Sequence, residues 1–302
     1  MSRYINPYTD FGFKRLFGEE ANKDLLIDFL NALLPAHHQI ATLDFRNVEQ
    51  LGVVSADRKA VYDVYCTAES GEHFIVEMQK AAQLWFKDRA LFYASFPIRD
   101  QAPKGMVDGM VWDYRLNPVY LIAILAFEYD EEEERRKLER IVRLKDQDGD
   151  EFYDKLEFRF LQMPLFTKTE SELETQKDKW YYFLKHLPSF EKIPSIFREP
   201  IFERAFETAE IAAMSKDEIF AYEMSLKVLR DNFSAMKTAQ MKGEAKGRAE
   251  GRAEGRAEGR AEGETGKAIE IALEMKKDGI DLKTIAKYTG LALNEIKNLV
   301  TD

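Results

Sequence analysis

Residues 61–80 read VYDVYCTAESGEHFIVEMQK. Two β-type runs, Val61 to Cys66 and His73 to Met78, flank the turn signal Glu69-Ser70-Gly71. Side chains alternate between faces along a strand, so Val61, Asp63 and Tyr65 share a face, as do Ile75, Glu77 and Gln79. A three-residue loop with glycine in the left-handed position pairs Ala68 with Glu72, Tyr65 with Ile75, Asp63 with Glu77 and Val61 with Gln79. A two-residue Ser70-Gly71 loop instead sets Asp63 against Met78, on opposed faces. The three-residue loop therefore keeps the two acids together. Carboxylates facing each other at about 5 Å repel, and a divalent cation would compensate. On the other face, Tyr62, Val64, Phe74, Val76 and Met78 should pack on the core. An ordinary amphipathic hairpin with Asp63 and Glu77 on a wet face gives the same pattern.

Upstream, Asp24 to Leu34 carries Leu25, Leu26, Phe29, Leu30 and Leu33 at helical spacing, and Pro35 ends it. Downstream, Ala81 to Ala94 reads as a helix with Leu84, Trp85, Leu91 and Phe92 on its core side, stopped by Pro97. Val119 to Phe127 reads as a central strand, and residues 139–166 as a strand pair around Asp148-Gly149-Asp150. Helices are expected over Lys179 to Leu187, Ile201 to Ile211 and Lys216 to Leu229. The order of helix, strands, helix and strand predicts an α/β or α+β layer fold.

The 302 residues allow one large domain with a smaller one, and 45% hydrophobic content allows a sizeable core. Cys66 is the single cysteine, so no internal disulfide forms, and the four histidines make no zinc-ligand cluster. A reducing cytoplasm is the simplest compartment. The N-terminus has no apolar signal region, and the longest apolar run, Val119 to Phe127, is too short to span a bilayer, so no membrane role is expected. A net charge of −10 disfavours tight non-specific binding of nucleic acid. It does not exclude a nuclease, because a metal ion supplies positive charge locally.

Composition divides the chain into a globular stretch, 1–235, a charged glycine-containing segment, 236–265, and a tail, 266–302. RAEG repeats four times in tandem from Arg248 to Gly263. In a helix its Arg and Glu stripes lie on nearly opposite sides and are not i,i+4 partners. Each glycine costs roughly 1 kcal/mol against alanine, so a marginal helix or solvated linker is expected. Alternatively, the Arg stripe of one helix meets the Glu stripe of another. The repeat and the C-terminal helices are the two routes to a homo-oligomer. The tail reads as three short helices: Lys267 to Lys277 ending at Gly279, one around Leu282 to Lys287 capped by Asp281, and one near Asn294 to Leu299 after Thr289-Gly290. The phrase from Thr284 to Leu291, followed by Glu295-Ile296, resembles a helix-turn-helix. A small three-helix packing unit explains it equally well.

Several stretches, taken in order, resemble one family. They are Asp10-Phe-Gly-Phe-Lys-Arg-Leu-Phe17, Asp63, Ile75-Val-Glu-Met-Gln79, Phe86-Lys-Asp-Arg-Ala-Leu-Phe-Tyr93 and Asn117 to Leu125. They resemble the PD-(D/E)XK nuclease family transposases, also called recombination-promoting nucleases, over roughly residues 4–235. The resemblance implies a restriction-endonuclease-like core, a mixed sheet flanked by helices, here with a helical C-terminal extension. It implies Mg²⁺ or another divalent cation such as Mn²⁺, and cleavage of DNA in a recombination or mobile-element setting. Asp63 matches the motif's aspartate and Glu77 its second acid, the expected metal ligands and catalytic residues. Gln79 stands where the superfamily pattern has lysine. Glutamine hydrogen-bonds but brings no charge. Lys80 is adjacent but on the opposite face unless the strand ends there, so Lys14 or Lys59 are the other sources of a cation. Asp10, Glu19 and Glu20 are candidates for a completing acid, with Asp10 favoured. An N-cap role for Asp10 at a helix starting with Phe11 reads as well. Arg89 and Tyr93, four apart on one helix face, are placed to meet phosphate or the carboxylates, though packing explains Tyr93 too. Cys66 reads as a buried inert thiol, and Trp85, Trp112 and Trp180 as core or interface anchors.

The sequence thus predicts a metal-dependent endodeoxyribonuclease in which Gln79 orients the attacking water. A DNA-binding or assembly protein that kept the fold and lost catalysis at Gln79 is the alternative. A self-associating adaptor built on the RAEG segment is a third.

Overall fold

The computed structural model describes residues 2–35, 38–50, 60–102, 113–129 and 136–299. Lys59 and Trp112 lie outside them. The chain forms two compact units, residues 1–230 and 231–302.

The first unit is built on a six-stranded mixed sheet. Its strands are β1 (Leu43–Phe45), β4 (Val64–Ala68), β5 (His73–Gln79), β6 (Val119–Leu125), β7 (Glu139–Lys145) and β8 (Glu151–Gln162), in the order β1-β4-β5-β6-β8-β7. The central strands β5, β6 and β8 run parallel, and the outer pairings are antiparallel. β6 is buried on both faces, which explains its continuous apolar run. β2 (Glu49–Gln50) and β3 (Ala60–Val61) form a separate small ladder.

One sheet face carries α1 (Asp10–Phe17), α2 (Lys23–Leu33), α4 (Gln176–His186) and α5 (Pro200–Ala209). The five apolar residues predicted for α2 are all buried there, and Pro35 follows its end. Trp180 is fully buried, and its indole N–H donates to Asp28 Oδ1 at 2.6 Å. Cys66 also lies here beside Val64, its thiol pushed up to about 12 by burial.

The other face is covered by α3 (Phe86–Asp100). Here the sequence expectation is inverted. Leu84 and Trp85 precede the helix and are 87% and 69% exposed, and Leu91 and Phe92 also face outward. The buried side is Phe86, Ala90, Ala94, Phe96 and Pro97. Small alanines let the helix lie close to the sheet, a contact that hydrophobicity alone does not reveal. Pro97 does not stop the helix, which runs three residues further to Asp100.

The second unit contains most of α6, which runs unbroken from Lys216 to Lys277, and α7 (Leu282–Thr289) and α8 (Leu293–Asn298). The expected first tail helix is the end of α6. Asp281 caps α7 through Lys283 N and Thr284 N, and Gly290 ends it in the left-handed conformation (φ 74°). Ala272, Ile285 and Ile296 form a small core.

Candidate active site

The β4–β5 hairpin has the register of the three-residue loop. Tyr65 pairs with Ile75, and the Ala68 N–H donates to the Glu72 carbonyl at 2.9 Å. Gly71 adopts φ 99°, and a Cβ there would lie 2.9 Å from the Asn117 side chain. The positive φ calls for glycine, and a Cβ would also push on the Asn117 side chain.

Above Val64 the strand breaks. Continued at this register, the ladder would give the Met78 N–H to the Tyr62 carbonyl. Instead the Tyr62 N–H donates to Val48 O at 3.0 Å, and the chain has turned away. Asp63 fills the gap. Its Oδ2 accepts the orphaned Met78 N–H at 2.7 Å, and its own N–H donates to Glu77 Oε1 at 3.2 Å. The break also moves Tyr62 off the face expected for it. Tyr62 packs with Tyr65 on the α3 side, and its hydroxyl donates to Tyr93 O at 3.0 Å. Alternation assumed a straight strand, and nothing in residues 61–64 marks the break.

Glu77 is 3% exposed and Gln79 7%. The acidic face is therefore not wet but roofed by α3. A small recess is lined by Glu77, Gln79, Phe86, Arg89, Ala90 and Tyr93. Gln79 Nε2 donates to Glu77 Oε2 at 3.1 Å, and Arg89 approaches the same oxygen at 3.8 Å. Arg89 is held from behind by Gln83 Oε1 at 3.0 Å and lies over the Tyr93 ring.

Burial first, and then the nearby Asp63 charge, push Glu77 up to about 8, with Arg89 opposing. Asp63 is raised by burial. Met78 N–H opposes this, Asp10 adds to it, and Lys14 and Lys80 oppose it. The charges of Asp10 and Lys14 on α1 are thus felt at Asp63. They also pair with each other at 3.1 Å. Thr9, not Asp10, caps α1, accepting the Gly12 N–H at 2.9 Å. Glu19 and Glu20 turn to Asn22 and Lys23 and do not join the pair. β5 ends at Gln79, so the face rule does not bind Lys80.

Among the described residues no group of three or more His, Cys, Asp or Glu side chains gathers as a metal cage. The Asp63–Glu77 pair could hold a cation, and its oxygens suit Mg²⁺, which takes one or two carboxylates and keeps several waters. A model for PD-(D/E)XK nuclease family transposases matches residues 7–239. The chain belongs to this family. Its six-stranded mixed sheet with flanking helices is consistent with the restriction-endonuclease-like α/β fold of such nucleases. No curated protein and no solved structure matches the chain significantly. PD-(D/E)XK nucleases generally use divalent metals, and the pair has the chemistry for one. Among the described residues no helix is long and apolar enough to cross a membrane.

Proposed function

We propose that this PD-(D/E)XK protein is a divalent-metal-dependent endodeoxyribonuclease acting in the cytoplasm, in recombination or on mobile elements. Asp63 and Glu77 would hold Mg²⁺ or Mn²⁺. The observation that carries this reading is the placing of two carboxylates side by side, Glu77 buried and Asp63 half-buried, with the Asp63 N–H bonded to Glu77 and both proton affinities raised. Such a pair is costly to a protein that only folds, because each like charge is desolvated beside the other. When bound, the metal supplies Lewis acidity toward the phosphoryl oxygen and a more acidic water.

The chain's own residues do the positioning. Met78 N–H fixes the Asp63 carboxylate, and Asp63 N–H fixes Glu77. Gln79 spends an N–H on Glu77, which leaves its carbonyl oxygen to accept from a water. Gln79 thus orients Glu77 as well as the nucleophile. Lys14 and Lys80, whose charges reach Asp63, stand in for the lysine that Gln79 replaces. Arg89 balances Glu77, and Tyr93 holds Arg89 in place.

One observation favours the weaker alternative, a DNA-binding protein with little catalysis: the Gln79 amide is already engaged and carries no charge. Plasmid cleavage separates the two. Wild type with Mg²⁺ or Mn²⁺ should nick or cut, EDTA should abolish it, and Asp63→Ala should lower it by at least about 100-fold. Equal activity in Asp63→Ala, or in EDTA, sinks the proposal. A gain of rate in Gln79→Lys shows that the missing cation limits turnover. DNA binding without cleavage under any divalent ion favours the alternative.

A further inference from the structure

The family match stops at residue 239, before the RAEG repeat. Arg248 to Gly263 lies within α6 and is exposed throughout. Four residues advance a helix by slightly more than one turn, so each residue type forms a stripe drifting about 40° per repeat. The three ion pairs on this stretch are Arg248–Glu244 at 3.4 Å, Lys246–Glu250 at 3.7 Å and Arg260–Glu264 at 3.8 Å. Each reaches a residue outside the repeat. Inside it, i,i+4 neighbours carry like charge, which weakens an isolated helix. Gly251, Gly255, Gly259 and Gly263 have open space where a Cβ would stand, and each costs about 1 kcal/mol against alanine. The repeat thus lacks opposite charge on its flanks and a surface against its small residues. No other described segment of the chain supplies either.

We propose that this stretch pairs with the same stretch of a second copy, side by side and parallel, making a homodimer. A second copy carries the complement on both counts. With a small-residue stripe at the contact, Arg lies along one flank and Glu along the other. A parallel pair sets opposite flanks together, so Arg meets Glu on both sides. An antiparallel pair sets like flanks together, Arg on Arg and Glu on Glu. Charge therefore fixes direction as well as partner. A four-residue period exceeds the helical 3.6, so the contact winds right-handed, and the small residues let the backbones approach.

The pairing does not depend on the nuclease reading. One consequence does: a homodimer carries two nuclease units, a number suited to the two strands of a duplex.

Sedimentation of the full chain at about 50 mM salt tests this, since screening is then weak. Two variants are needed. One carries Arg248→Glu, Arg252→Glu, Arg256→Glu and Arg260→Glu. The other carries Glu250→Arg, Glu254→Arg, Glu258→Arg and Glu262→Arg. Wild type should be a dimer. Each variant alone should dissociate at least about 100-fold more readily, and an equimolar mixture of the two should restore the dimer. Monomeric wild type, self-association of either variant as tight as wild type, or failure of the mixture to pair overturns the proposal. Direction is read from Gly247→Cys and Gly263→Cys, with native Cys66 buried out of reach. Each should form a disulfide with its own kind on oxidation. Cross-links only between position 247 and position 263 overturn the parallel arrangement.

Discussion

Asp63 and Glu77 are joined through the backbone as well as set against each other by charge. The Asp63 N–H donates to Glu77 Oε1 at 3.2 Å, while the Asp63 carboxylate raises the proton affinity of Glu77. The same residue thus orients Glu77 and resists its ionisation. A bound cation would remove the resistance and keep the orientation. The geometry is set before any ligand arrives, because the Met78 N–H and the break at Tyr62 hold Asp63 independently of it.

Stability without metal should depend on pH through Glu77. Its folded value, about 8, lies above its ordinary value of 4.5. Between these pH values the folded chain holds a proton that the unfolded chain releases, so this group's stabilising contribution is present below 4.5 and is lost as pH rises toward 8. Glu77→Gln removes the dependence. In EDTA the variant should melt close to wild type near pH 4.5 and on the order of 10 °C higher at pH 8.5. Equal melting temperatures at both pH values would falsify the assignment of a buried proton to Glu77.

Metal binding should displace that proton. At pH 7 Glu77 is mostly protonated, and a ligating carboxylate is not. Calorimetry of Mn²⁺ binding in two buffers of different ionisation enthalpy should give close to one proton released per ion at pH 7. The figure should fall toward zero at pH 9, and affinity should rise about tenfold per pH unit below 8. No proton release at pH 7 means the ion does not use Glu77.

The hairpin register was legible because its glycine and both acids sit at fixed offsets, and one loop length satisfies all of them. The α2 face and the tail caps were legible for the same local reason. The orientation of α3 was not. Leu84, Trp85, Leu91 and Phe92 are the more hydrophobic set, yet the buried set contains Ala90 and Ala94, because close approach to the sheet selects small side chains. That choice is made by a partner surface distant in sequence. The strand break at Tyr62-Asp63 was hidden likewise, since the Val48 carbonyl that draws Tyr62 away lies fourteen residues upstream, outside the hairpin. The RAEG segment, expected as a marginal helix or a solvated linker, is helical within α6.

Arg89 should set the pH at which the site switches on. It lies 3.8 Å from Glu77 Oε2 and holds the carboxyl below where burial alone would leave it. Arg89→Ala should move the midpoint of the pH–rate profile upward by about one unit, which is 1.36 kcal/mol of lost attraction. Arg89→Lys should recover part of it, since lysine keeps the charge but loses the fork that grips Gln83 Oε1. A packing role alone, on Tyr93, predicts a loss of melting temperature with the midpoint unmoved.

Gly71 should be the hairpin's least replaceable residue. Its φ of 99° strains any side chain, and a Cβ would press on Asn117 at 2.9 Å. Asn117 in turn donates its N–H to Gln101 Oε1 at 2.6 Å, and it precedes the central strand β6 by two residues. The collision therefore falls on the Asn117 side chain, beside the start of β6. Gly71→Ala should cost roughly 1–3 kcal/mol. Gly149, also at positive φ (90°) in the β7–β8 turn, has open space around it. Gly149→Ala should therefore cost only its backbone strain, about 1 kcal/mol. Urea melts of the two variants, read as a difference in midpoint, decide the matter. Equal midpoints would mean that Asn117 yields and that the hairpin is not locked against β6.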